Sequence, residues 1–169
     1  TREYVVRGTL FSANKDKLYK VWETWDFSKA TVLFIAAYPN PKDSTFTSSM
    51  TSRCRNIAKH FGLGGFTIVY SFSHIARSSK ELMESAQPIG ADTNIVIRSA
   101  ALEAGLVICA WGATGCFLDR STRIHDLLSD IPCACLGLDP VGNPLLVTSG
   151  RHKGRTLMEY FYFSDGIPF

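Results

Sequence analysis

Polar side chains able to bind a ligand or move a proton gather at four points of this sequence, each just beyond an apolar run. The first is Tyr38-Pro-Asn-Pro-Lys-Asp43, with Tyr38, Asn40 and Asp43. The second is Ser71-Phe-Ser-His74, the third holds Gly112 and Thr114, and the fourth holds Asp139 and Asn143. Proline supplies no ladder N–H and fixes its own φ, so the first loop is rigid as well as polar. It is the first place to look for chemistry, although by itself it names no reaction. Thr148-Ser-Gly-Arg-His-Lys-Gly-Arg155 is the most basic stretch of the chain and sets His152 among cations. The sequence holds no G-x-x-x-x-G-K phosphate loop, no G-x-G-x-x-G after a strand and no G-x-S-x-G elbow. Five cysteines lack the paired C-x-x-C spacing of a zinc or iron–sulfur site, and only Cys133-x-Cys135 comes near it. The expectation is therefore no metal and no cofactor.

The elements that must position these residues follow from hydrophobic periodicity. Thr31-Val-Leu-Phe-Ile-Ala-Ala37 is an unbroken, β-branched and aromatic run, which reads as a strand buried on both faces in a parallel sheet. Phe66–Tyr70, Gly105–Trp111 and Ile131–Leu138 read as three more such strands. Met50, Cys54, Ile57, Ala58 and Phe61 recur at helical spacing after a Ser/Thr run suited to capping, and Gly62-Leu-Gly-Gly65 stops that helix. Further helices are expected after Ser78–Ser79, from Asp92 or Thr93 to Ala104, and over Arg120–Leu128. Glu3–Phe11 and Lys17–Trp25 suggest an antiparallel hairpin at the sheet edge, although KLYKVWETW also fits a short helix. Leu157–Phe163 offers a last aromatic packing segment. The expected architecture is a single α/β domain over residues 1–169: three layers, α/β/α, around a central mostly parallel four-stranded sheet with an N-terminal β-hairpin. In such sheets ligands bind beyond the carboxyl ends of the strands, where all four polar groups fall.

Composition narrows the class. Of 169 residues, 46% are hydrophobic and 20% charged, which excludes disorder, and the net charge of +3 is too mild for a wholly basic nucleic-acid binder. No apolar run approaches the ~20 residues of a membrane span, and no basic-then-apolar leader opens the chain. The cysteines read as small buried hydrophobes in a reducing cytoplasm.

The same residues carry a resemblance. VLFIAAYPNPKD resembles the first motif of the uracil-DNA glycosylase superfamily, a strand running into Gly-x-Asn-Pro or Gly-Gln-Asp-Pro, and VICAWGATG is similar to its Leu-Leu-Trp-Gly strand end. Roughly residues 17–147 also resemble an uncharacterised bacterial and phage family that reads Leu-Phe-Ile, Asn-Pro-Ser-Thr-Ala-Asp, Arg-Cys, Ala-Trp-Gly, Cys-Leu-Gly-Leu and His-Pro. Those motifs correspond here to Leu33–Ile35, Tyr38–Asp43, Arg53-Cys54, Ala110–Gly112 and Cys135–Leu138. The chain departs from the pattern: the family's Asn falls on Tyr38 or, shifted by two, on Asn40. The base-reading residue near the second strand's end falls on Tyr70 or Ser71, and the His-Pro pair is replaced by Asn143-Pro144 or by His152.

The resemblance implies a DNA glycosylase-like hydrolase that flips a base from DNA, cleaves its N-glycosidic bond and leaves an abasic site. The replaced base-reading position favours a modified pyrimidine such as phage DNA carries, and with it a role in defence against phage. Asn40 or Asp43 would orient water beside an oxocarbenium-like sugar, and His152 would receive charge on the departing base. Tyr38, Pro39, Tyr70, Ser71 and Phe72 would surround the base. Ser149, Arg151, Lys153 and Arg155 would hold phosphates. DNA is then the expected partner of a cytoplasmic monomer that touches no membrane. Plainer roles fit the same residues: Asp43 suits an Asx turn or a helix cap, Asn40 a turn, and Tyr38 and Phe72 ordinary packing. The alternative expectation is a non-catalytic module of the same fold that binds a nucleotide or modified base; a small-nucleotide hydrolase, lacking a metal or phosphate motif, is a third.

Overall fold

Five consecutive residues buried on both faces form the middle of the sheet. In the computed structural model, which describes residues 4–161, 163–164 and 167–168, the strands of the main sheet are β1 (Val6–Phe11), β2 (Leu18–Thr24), β3 (Val32–Ala36), β4 (Gly65–Tyr70), β5 (Leu106–Ala110), β6 (Cys133–Cys135) and β7 (Met158–Phe161), and Phe163–Ser164 pairs with Ile167–Pro168 in a separate two-stranded sheet. The helices are α1 (Ser49–His60), α2 (Ser79–Glu84), α3 (Thr93–Glu103) and α4 (Arg120–Leu127). Alternation along β3 divides the core. Val32, Phe34 and Ala36 pack with Cys54, Ile57 and Ala58 of α1 on one face. Leu33, Ile35 and Ala37 pack with Ile97 and Ala101 of α3 and Ile124 of α4 on the other. Each face of the pleat thus meets its own helices, which is why the sequence shows a continuous apolar run instead of an alternating one.

The sheet is larger than the expected four strands. Its order is β1-β2-β4-β3-β5-β6-β7, with β4, β3, β5 and β6 mutually parallel and β1, β2 and β7 antiparallel additions at the two edges. The hairpin is part of the sheet: β2 pairs with β4, and the stretch that also fitted a helix is a strand. Ile131–Leu138 yields only three strand residues, since Pro132 cannot donate at its start and Gly137 turns the chain with φ +146°. β7 arises from the expected aromatic segment; of that segment, Tyr162 lies outside the described residues.

One ion cluster ties the edge hairpin to the helix layer. Glu23 of β2, 1% exposed, accepts from Arg7 of β1 and from both Nε (2.6 Å) and Nη2 (2.9 Å) of Arg55 on α1. Burial alone would raise its carboxyl, but the Arg55 and Arg7 hydrogen bonds win and hold it below the usual range. Glu23 therefore stabilises the fold at neutral pH, and this contribution is lost as pH falls through its depressed native value. Glu23→Ala, which leaves two guanidinium groups facing each other, should remove about 2–3 kcal/mol in denaturant unfolding, less than for a fully buried pair because both arginines reach solvent. A loss under about 0.5 kcal/mol would show that solvent already neutralises the cluster.

Candidate functional site

Strand order determines where a ligand can enter. From β3 the chain crosses to β4 on one side, and the later parallel strands β5 and β6 lie on the other. The order therefore reverses between β3 and β5, and the crevice beyond their carboxyl ends is the place where such sheets bind ligands. A cavity of about 550 Å³ opens there. Ala36, Ala37 and Tyr38 at the exit of β3 and Ala110 at the end of β5 line it, with Thr114 beyond β5 and Leu146, Val147 and Thr148 closing one side. The loop after β3 supplies Asn40, Lys42, Asp43 and Thr47.

Asp43 is the unusual member. It is 2% exposed, and its Oδ2 accepts from the Tyr70 hydroxyl at 2.8 Å and from the Asn40 N–H at 3.2 Å. Its Oδ1 is also buried, with the Ser48 hydroxyl as its nearby donor. Burial pushes the carboxyl above its usual value, and the Ser48 and Tyr70 hydroxyls and the Asn40 N–H pull part of the way back. In turn, burial and the neighbouring Asp43 push the Tyr70 hydroxyl far up, so it stays a donor. A desolvated carboxylate beside a cavity can take a proton or stabilise a nearby positive charge. Asp43 does not cap α1; that role belongs to Ser48, whose hydroxyl accepts from the Thr51 N–H.

The loop around it is tightly turned. Asn40 accepts from the Lys42 N–H through Oδ1 at 2.9 Å, an Asx turn that starts the single 3₁₀ turn Asp43–Thr45. Phe46 ends that turn at φ +59°, a strained backbone for a residue with a side chain. Tyr70→Phe should raise the Asp43 carboxyl further, because a donor to its charged form is gone. NMR titration of the Asp43 carboxyl carbon checks this; an unchanged midpoint would show that Tyr70 does not tune the acid.

Other candidate residues lie elsewhere. Tyr38 is half-buried on the cavity wall, and burial raises its hydroxyl. Pro39 is buried and its carbonyl accepts from the Ala76 N–H. Tyr70, Ser71 and Phe72, expected to surround a base, lie beneath the site instead and do not line the cavity. The Ser71 hydroxyl donates to the Ala36 carbonyl, and Phe72 packs with Ala76 and Leu82. The Ser71 carbonyl accepts from Arg120, a buried guanidinium that also donates to Asn94.

His152 is also outside the cavity. The Gly154 N–H donates to its Nδ1 at 3.0 Å, so Nε2 carries the proton and donates to the Leu146 carbonyl at 2.8 Å. The imidazole therefore fastens the basic loop rather than facing Asp43. Ser149 caps a local turn by accepting from the Arg151 N–H, Arg151 lies near Asp139, and Lys153 and Arg155 line a separate groove. Asp139 is engaged by the N–H groups of Val141 and Asn143. The cysteines are reduced, four buried and Cys116 exposed. Among the described residues no cluster of three or more His, Cys, Asp or Glu could hold a metal, and no helix is long and apolar enough to cross a membrane.

Sequence reasoning missed Lys42, Ser48 and Thr148 as cavity residues. It also missed Tyr70 as the partner of Asp43. Lys42 was visible between Pro41 and Asp43; Thr148 reaches the cavity only through the path of the distant basic segment.

The model of a family described as proteins of unknown function (DUF1643) matches residues 19–145, so the chain belongs to that family. No curated protein and no solved structure matches the chain.

Proposed function

We propose that this member of the family is a DNA glycosylase-like hydrolase that cleaves the N-glycosidic bond of a flipped-out, modified pyrimidine and leaves an abasic site. The observation that carries the reading is Asp43, a buried carboxylate of raised pKa on the cavity at the sheet's switch point. The motif resemblance of Tyr38–Asp43 and Ala110–Gly112 to glycosylase strand ends supports it. In the reaction the C1′–N bond breaks with its electron pair leaving on the base. The oxocarbenium-like sugar develops beside Asp43, and water adds at C1′ as its proton passes to the carboxylate. Since His152 is engaged elsewhere, Lys42 and the hydroxyls of Thr114 and Thr148 are the cavity groups that can receive the base's negative charge. Tyr38 offers the aromatic wall for stacking. A cavity of about 550 Å³ has room for a pyrimidine with a bulky substituent, which fits DNA of phages and a defensive role.

A second reading is favoured by one fact: both ring nitrogens of His152 are engaged in holding a loop. On that reading the chain is a non-catalytic module that binds a modified base or nucleotide in the same cavity. Free base released from a panel of natural and modified DNAs, identified by mass spectrometry, separates the two. Release from a modified DNA supports the hydrolase; binding without release from any DNA favours the module.

A further inference from the structure

The α1 helix and the basic segment together enclose a second groove, of about 750 Å³. Arg53, Asn56, Ile57 and His60 line it from α1, at helical spacing along one face. Gly150, His152, Lys153, Gly154 and Arg155 line it from the segment. No carboxylate faces it, and Arg53, Lys153 and Arg155 have no acidic partner among the described residues. With Lys153 and Arg155 exposed and no counter-charge beside them, the groove presents a positive surface that attracts a polyanion.

The groove and the cavity share two elements. Ser49 and Met50, one turn before Arg53 on α1, line the cavity, and so do Leu146, Val147 and Thr148, just before the segment turns into the groove. One helix and one segment thus form walls of both sites. Arg53 and His152 hold the junction: the Arg53 Nη2 reaches the His152 carbonyl at 3.4 Å, and His152 reaches back to Leu146. The stripe from Ser49 to His60 is roughly 16 Å long, enough to reach more than one phosphate of a nucleic-acid strand.

We propose that this groove binds the phosphate backbone of a polynucleotide, with Arg53, Lys153 and Arg155 as its anchors and Asn56 and His60 as supporting donors. The inference rests on the glycosylase-like reading only for what occupies the cavity. It adds where the strand is held, on the α1 side by groups outside the cavity, so a free nucleoside or mononucleotide lacks the contacts that fix it.

The test is equilibrium binding of fluorescently labelled single- and double-stranded oligonucleotides to the full chain across a salt series. Binding should weaken with salt, and Lys153→Ala, an exposed position with no hydrogen bond to lose, should reduce the slope of log K against log salt by about 0.7–0.9. Arg53→Glu and Arg155→Glu should each lower affinity by roughly tenfold or more at about 0.1 M salt, while Lys29→Glu, on the β2–β3 connection, should leave it unchanged. Millimolar phosphate or a nucleoside monophosphate should compete weakly. Equal affinity for a mononucleotide and a long oligonucleotide would overturn the polymer and show a site for a terminal phosphate. Unchanged binding in Lys153→Ala and Arg53→Glu alike would overturn the groove. Base release that survives both substitutions sinks the groove alone, and groove-dependent binding without base release sinks the hydrolase alone.

Discussion

Asp43→Asn should abolish base release, by roughly 10²- to 10⁴-fold, and leave the protein at least as stable near neutral pH as the wild type. The two halves come from one cause. Burial strips water from the carboxylate, which makes it reactive and also makes its charge unfavourable in the folded state. The amide keeps an acceptor for the Tyr70 hydroxyl and the Asn40 N–H, so the loop retains both bonds. Because burial raises the native pKa, Asp43 contributes stability that is fully present below its unfolded value and lost as pH rises through its native value. The variant lacks this dependence. Thermal unfolding from about pH 4 to about pH 8 should show the variant's advantage growing as pH rises. Glu23 and the exposed carboxylates titrate in both proteins and cancel in the comparison. A variant markedly less stable at neutral pH would mean that Asp43 is a structural acceptor and not a reactive group.

Phe34→Ala should cost about 3–5 kcal/mol, the largest stability loss we expect from a single truncation, and lower the midpoint of thermal unfolding by roughly 6–20 °C. Phe34 has no exposed surface, pairs laterally with Ile68 of β4 and Ile108 of β5, and faces Cys54 and Ile57 of α1. The hole left by the ring would have strands on both sides and a helix above, none of which can close on it without breaking the ladder. Ala36 and Ala37, two and three residues on, line the cavity, so activity should fall further than the folded fraction alone accounts for. Leu10→Ala, on the exposed face of β1, serves as a comparison and should change stability by under about 0.5 kcal/mol. Similar losses in the two variants would contradict a core organised around β3.

The centre of the fold was legible because burial on both faces leaves a mark that needs no partner: Val32–Ala36, Phe66–Tyr70 and Leu106–Ala110 are nearly uniformly apolar. The α1 helix was legible by its period and by the Ser/Thr run that contains its cap, Ser48. The sheet's edges were less so. The antiparallel β7 pairs with β6 from more than twenty residues away, and four residues of mixed character carry no period of their own. The site divided along the same line. Two prolines and a carboxylate after a buried strand pointed to Asp43 locally. Its support by Tyr70, 27 residues on, depends on the parallel pairing of β3 with β4, which no local pattern reveals. His152 misled for the same reason: among cations it reads as an acid–base group, but its role follows from the path of the loop that it fastens to Leu146.

If the Asp43 cavity breaks the bond between a modified base and its sugar, the product is an alkali-labile site that can be counted. DNA from phages with hypermodified pyrimidines would be incubated with wild-type protein and with Asp43→Asn, then treated with alkali and sized. Strand breaks are expected with the wild type on such DNA, few on unmodified DNA, and none with the variant. Breaks made equally by the variant, or no breaks from the wild type on any DNA that it binds, would contradict this chemistry.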